Sequence, residues 1–316
     1  MNDFESMPHE PENNRSSFPE QSLLQVAHTT NAAKDLFQTW PQSITAPPAR
    51  IPHLGHLCLL GAFLLIGLVC MTVLMFVAMH FHLDGVSTVD QIKNNVHYLL
   101  GTEAVLYLVT LALSFPLFPL LWKKSFFSGI QWRAATVHKL GWRLPAIALA
   151  CFVLAVIDEK FLPGPEHAPI EEFFRAPGAA WLMFVFGVTF APFFEEMGFR
   201  GFLLPSIATA WDWAIEKSTG KPARPLDANG HPKWSIFAMV FASVLTTIPF
   251  AWMHAEQQGH SLGPFLQVIT VSLILCAVRL VTRSLAASTV VHACYNFLLF
   301  LTMLIGTGGF RHFDKL

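Results

Sequence analysis

Glu195 and Glu196 stand side by side in WLMFVFGVTFAPFFEEMGFRGFLLP (residues 181–205), with Arg200 four residues further on. A charge at membrane depth costs roughly 2.5–3.5 kcal/mol on insertion scales, so three of them in so apolar a stretch must be paired, solvated or used for chemistry. On a helix, Glu196 and Arg200 form an i,i+4 pair with the glutamate on the favoured N-terminal side. Glu195 is turned about 100° away from Glu196. The spacing therefore predicts one glutamate held by the arginine and one facing a cavity, where a partly desolvated carboxylate suits a general base. The plainer alternative is a charge-neutralised helix contact.

Two further polar stations follow. Phe250 and His254, in IPFAWMHAEQQGH, share a helix face at i,i+4. A single histidine near a helix end is otherwise an interfacial residue. Glu256 and His260 lie close by and rank lower as candidate metal ligands. His292 and Asn296, in SLAASTVVHACYNFLLF, share another face at the same spacing. A mid-span Asn can simply hold neighbouring helices together, while His and Asn are also suitable donors to a developing oxyanion. Each station alone has a structural reading. The occurrence of all three in separate apolar segments argues for one shared site. Glu195, His254 and His292 also make a side-chain set for Zn²⁺ with an open position, and the same residues can activate water without a metal. HExxH is absent, so the single-helix zinc arrangement is not in play.

The segments that must position these residues are membrane spans. The 316 residues are 53% hydrophobic and 13% charged, where a soluble domain carries about 25% charge. Mean hydropathy is +0.47. The expected fold is all-α, a polytopic integral membrane helical bundle. Apolar runs lie near 57–81, 97–122, 144–157, 178–210, 235–254, 263–282 and 285–306. The third is short, with an interfacial part. The fourth is long enough to be tilted, kinked near Pro192 or Pro205, or broken into a hairpin, so seven or eight transmembrane helices are expected. Glu103 in the second run reads as an outer-interface residue or a helix–helix contact. The five cysteines all lie in apolar segments without a CxxC pair, which predicts neither disulfides nor a thiolate metal site. A net charge of −1 points to no nucleic-acid partner.

Residues 1–50 are polar and rich in Pro, Ser, Asn and Glu, and read as a disordered tail, with no cleavable signal peptide. Basic residues gather in 123–143 (Lys123, Lys124, Arg133, Lys139, Arg143), in the turn-rich 211–233 loop, and at Arg279 and Arg283. The positive-inside rule then places these connections and the N-terminus in the cytoplasm. No internal repeat is visible, which argues against an inverted-repeat transporter. One tension follows from these boundaries: Glu195, His254 and His292 fall at different nominal depths.

FFEEMGFRGFLLP, PFAWMHA and SLAASTVVHACYN together resemble the CPBP family of intramembrane proteases, which includes the type II CAAX prenyl endopeptidases. The family pattern is EExxxR, FxxxH and Hxxx(N/D), in this order on separate membrane helices. The apolar runs make 51–177 the N-terminal membrane helices and 307–316 a short tail, and the resemblance, which covers roughly 178–300, implies 178–306 as the catalytic core. It implies an endopeptidase acting on a membrane-associated protein or peptide, in a lipid bilayer, as a multi-pass protein of a bacterial plasma membrane. By the same resemblance Glu195 activates water, supported by Glu196 and Arg200. His254 assists it or binds metal, and His292 with Asn296 binds the oxyanion or completes a Zn²⁺ site; a metal-free mechanism stands beside this. The competing expectations are a non-catalytic binding or immunity-type membrane protein, and an ion- or proton-coupled transporter.

Overall fold

The computed structural model describes residues 50–165, 174 and 178–311. The tail expected over residues 1–50 lies outside them except for Arg50, as do residues 312–316 of the short C-terminal tail. The chain is helical, as expected. Among the described residues the main helices are α1 (Leu54–His80), α2 (Val96–Trp122), α3 (Ala134–Leu140), α4 (Arg143–Phe161), α5 (Ala179–Thr219), α6 (Ile236–Ala255), α7 (Leu262–Thr282) and α8 (Leu285–Gly306). Among the described residues six of these helices are long and apolar enough to cross a membrane, and α3 with α4 makes a seventh if the bent pair is one span. The protein is thus a multi-pass membrane protein. The bend between α3 and α4 is 78°. It falls at Gly141, whose φ of +49° is open to a residue without Cβ.

The eighth span allowed by the sequence does not form. The 178–210 run is neither kinked apart nor folded into a hairpin, because α5 continues unbroken for 41 residues. Its two prolines are absorbed by widened turns. A proline lacks the N–H for the carbonyl four residues back, and its ring crowds that carbonyl. For Pro192 and Pro205 those carbonyls belong to Val188 and Gly201. Both lie in stretches with i→i+5 bonding, Phe186–Phe190 and Met197–Leu203. The widened turn relieves the crowding while the axis goes on. Beyond the apolar run the helix extends to Thr219, which takes Trp211–Thr219 out of the expected loop, and ends at Gly220 in the left-handed region.

Three packing regions hold α5 in place. Phe63 of α1, Phe118 and Trp122 of α2, Phe126 of the α2–α3 connection and Phe202 of α5 form an aromatic cluster. The backbones of α1 and α2 come close at Gly67, where a Cβ would meet Leu106 Cδ1 at 2.9 Å and its carbonyl at 3.0 Å. On the other side, Leu204 and Ala208 of α5 pack on Ala238 and Ala242 of α6 and Cys276 of α7. Small side chains let these backbones approach, which matters where lipid is as apolar as the interface and packing supplies the attraction. Leu144, Ala148 and Cys151 of α4 close the bundle against α7 and α8. All five cysteines are free.

The 220–235 connection is an ordered brace. Asp227 Oδ1 accepts from Asn229 N–H and His231 N–H. The His231 ring faces Ile51 O at 2.8 Å and Ser128 O at 3.0 Å. Burial keeps His231 below its ordinary value, outweighing those two carbonyls. At the far end, Asp212 of α5 accepts from both the Ser235 hydroxyl (2.6 Å) and its N–H (2.8 Å), fixing the start of α6.

Candidate active site

The three polar stations meet. Glu195 Oε2 lies 3.9 Å from His254 Nε2 and 3.7 Å from His292 Nε2. The depth conflict in the sequence reading came from its span boundaries. Glu195 sits well inside a helix that continues for 41 residues, beyond the 178–210 run.

Each imidazole is aimed by its other nitrogen. His254 Nδ1 donates to Phe250 O at 2.8 Å. A carbonyl only accepts, so in the neutral ring the proton is on Nδ1 and the Nε2 lone pair faces Glu195. His292 Nδ1 lies 3.2 Å from Glu196 Oε1. That carboxylate is already bound by Arg200, so Nδ1 is again the donor and Nε2 again faces Glu195. The two Nε2–Oε2 separations exceed hydrogen-bond reach. Glu195 Oε2 is buried without a hydrogen-bond partner.

Glu196 and Arg200 form the predicted i,i+4 pair at 3.0 Å, both side chains 0% exposed. Arg200 Nη2 also donates to Ser272 Oγ at 2.7 Å and Ser272 O at 3.2 Å. Thr247 Oγ1 lies 2.9 Å from Ser272 Oγ, so α5, α6 and α7 are joined by one polar chain. Phe250 ties the stations together. The Arg200 guanidinium lies 4.3 Å from its ring centroid, a cation–π contact. The same ring meets His292 edge-on at 5.9 Å, and its carbonyl holds His254.

The widened turns of α5 bring in two further side chains. Such turns interrupt the i→i+4 ladder and leave carbonyls for outside donors. Asn296 Nδ2 donates to Gly187 O at 2.8 Å, and Arg279 Nε donates to Arg200 O at 3.1 Å. Asn296, expected at an oxyanion, thus spends one of its two amide hydrogens on α5. Arg279, counted in the sequence as a loop charge, lies inside α7 and is fully buried. Glu256 and His260 are exposed in the turn after α6 and do not join the site.

Sequence reasoning set Glu103 aside and passed over Tyr107. Tyr107 Oη donates to Glu103 Oε1 at 2.6 Å. The Tyr107 ring stacks on Phe194, the residue before Glu195, at 4.4 Å. The i,i+4 spacing of Glu103 and Tyr107 in an apolar run was the available signal. Among the described residues no group of three or more His, Cys, Asp or Glu is placed to hold a metal ion. Glu195, His254 and His292 have the donor types that Zn²⁺ takes, with Nε2–Oε2 separations of 3.7 and 3.9 Å.

No curated protein and no solved structure matches the chain. The family model that matches begins just before α5 and ends within α8, so all six residues from Glu195 to Asn296 fall inside it and Glu103 falls outside. Residues 177–298 match the Rce1-like family, described as type II CAAX prenyl endopeptidase Rce1-like, in agreement with the resemblance carried by the three motifs.

Proposed function

We propose that the chain is an intramembrane endopeptidase in which Glu195 activates the attacking water. The observation that carries this reading is the approach of one buried, unpartnered carboxylate oxygen to two imidazole Nε2 atoms, at 3.7 and 3.9 Å. One water oxygen spans such separations. It gives one hydrogen bond to Glu195 Oε2 and the other to a neutral Nε2, which leaves an oxygen lone pair for the substrate carbonyl.

Glu195 takes a proton as the water oxygen bonds to the carbonyl carbon. The same proton passes to the leaving nitrogen as the C–N bond breaks, giving a carboxylic acid and an amine. The second amide hydrogen of Asn296 is available to the oxyanion. His292 serves as an oxyanion donor only when Nε2 is protonated; in its neutral form it orients the water. Glu196 and Arg200 hold His292 and the helix rather than react. The substrate is a membrane-associated protein or peptide. Lys123, Lys124 and Arg133 favour a cytoplasmic location for the α2–α3 connection, and with it a cytoplasmic N-terminus. A bacterial plasma membrane is the setting that the family resemblance favours.

The test is a peptide-library digestion by the purified protein in lipid nanodiscs, read by mass spectrometry, with Glu195→Gln alongside. New peptide termini formed only by the wild type support the reading; no cleavage by folded wild type, or equal cleavage by both, overturns it.

A further inference from the structure

The matched family region leaves Glu103 and Tyr107 without a role, yet both belong to the surroundings of Glu195. Glu103 is partly buried in α2, and one of its oxygens is steadied by the Tyr107 hydroxyl at 2.6 Å. Tyr107 is itself fixed against α5, stacked on Phe194 at 4.4 Å and on Phe186 at 6.1 Å. Glu103 is close enough to Glu195 and His254 to interact electrostatically with both. Among the described residues no lysine or arginine forms an ion pair with it. Three carboxylates (Glu103, Glu195 and Glu196) share this region with two buried guanidiniums; Arg200 is committed to Glu196 and Arg279 donates to Arg200 O, so neither is paired with Glu103. Glu195 Oε2 and Glu196 Oε2 are both buried without hydrogen-bond partners. A carboxylate left without a lysine or arginine partner is complementary to a cation brought by the substrate.

We propose that Glu103, held by Tyr107, is a specificity-determining residue that selects peptides with a lysine or arginine close to the scissile bond. The inference rests on the hydrolytic reading for the identity of the ligand as a peptide substrate. Its test is a binding measurement that does not require turnover.

Fluorescent acetylated peptides, matched pairs with lysine or norleucine at each position around one candidate scissile bond, are titrated onto Glu195→Gln protein in nanodiscs of zwitterionic lipid. Zwitterionic lipid removes attraction of the peptides to the membrane surface. The best lysine peptide is expected to bind about tenfold more tightly than its norleucine partner, the effect of one partly desolvated charge pair. Adding Glu103→Gln, which keeps the acceptor for Tyr107, is expected to bring that ratio close to one. Glu103→Lys in the same background is expected to favour glutamate-containing peptides. A lysine preference that survives Glu103→Gln, or no preference or no binding at all, overturns the inference. A preference lost with Glu103→Gln while wild type cleaves nothing sinks the hydrolytic reading and leaves cation recognition standing. Cleavage by wild type without lysine preference does the reverse.

Discussion

Glu195 and Glu196 are neighbours in the chain, but the two sides of α5 on which they lie are built differently. On the Glu196 side everything is sealed. Glu196, Arg200 and Ser272 are 0% exposed, and salt bridge, hydrogen bonds and the Phe250 ring tie three helices together. On the Glu195 side the aromatic and imidazole groups stop short: the carboxylate meets two Nε2 atoms without bonding to either. His292 belongs to both regions, bound to Glu196 through one nitrogen and facing Glu195 with the other. The difference teaches how a membrane helix keeps two acids at adjacent positions. One is neutralised and serves the fold, and its rigidity lets the other remain free for chemistry.

The largest effect is expected from opening the sealed side. Arg200→Leu strands Glu196 as a buried charge and should cost about 3–5 kcal/mol, read as a large drop in thermal or denaturant stability in micelles. An unchanged melt would mean that the sealed side is not what holds α5. A smaller effect is expected where the regions join. Asn296→Ala removes the donor to Gly187 O and should cost about 1 kcal/mol of stability. A fall in cleavage rate larger than that stability loss explains would mark the second amide hydrogen as an oxyanion donor.

Away from both regions, the 220–235 brace should show a modest pH dependence. His231 has a folded value below the unfolded one of about 6.5. Its contribution is therefore present above that pH and is lost as the pH falls through the lower folded value. Amide exchange in this segment, corrected for intrinsic rates, should quicken on acidification. Slower exchange in acid would mean that a protonated ring bonding both Ile51 O and Ser128 O outweighs its burial. The smallest expected effect is none: treatment with a strong chelator should leave cleavage within about twofold of the untreated rate, as general base catalysis by Glu195 needs no metal. Loss of activity, restored by Zn²⁺, would replace the glutamate-activated water with a metal site.

The stations themselves were legible in the sequence because i,i+4 spacing survives any error in helix ends. Glu196–Arg200 and Phe250–His254 pair as that spacing predicts. Their convergence was expected from their joint occurrence, but their depths were not legible, since nominal depth depends on span boundaries and α5 runs on past the apolar residues to Thr219. Nor were the widened turns, which arise from Pro192 and Pro205 acting on carbonyls four residues back. Without them Asn296 and Arg279 had no visible partners, and Arg279 was read as a loop charge. Glu103 was visible only as an isolated acid, because its meaning depends on Tyr107 stacking across to Phe194 on another helix.

The most direct measurement sets Glu195→Gln beside Glu196→Gln, each scored for peptide cleavage per folded molecule and for thermal stability in nanodiscs. The account predicts that Glu195→Gln keeps the wild-type melting temperature and loses about 10²–10⁴-fold in rate, while Glu196→Gln loses stability first. Wild-type cleavage by well-folded Glu195→Gln would contradict it.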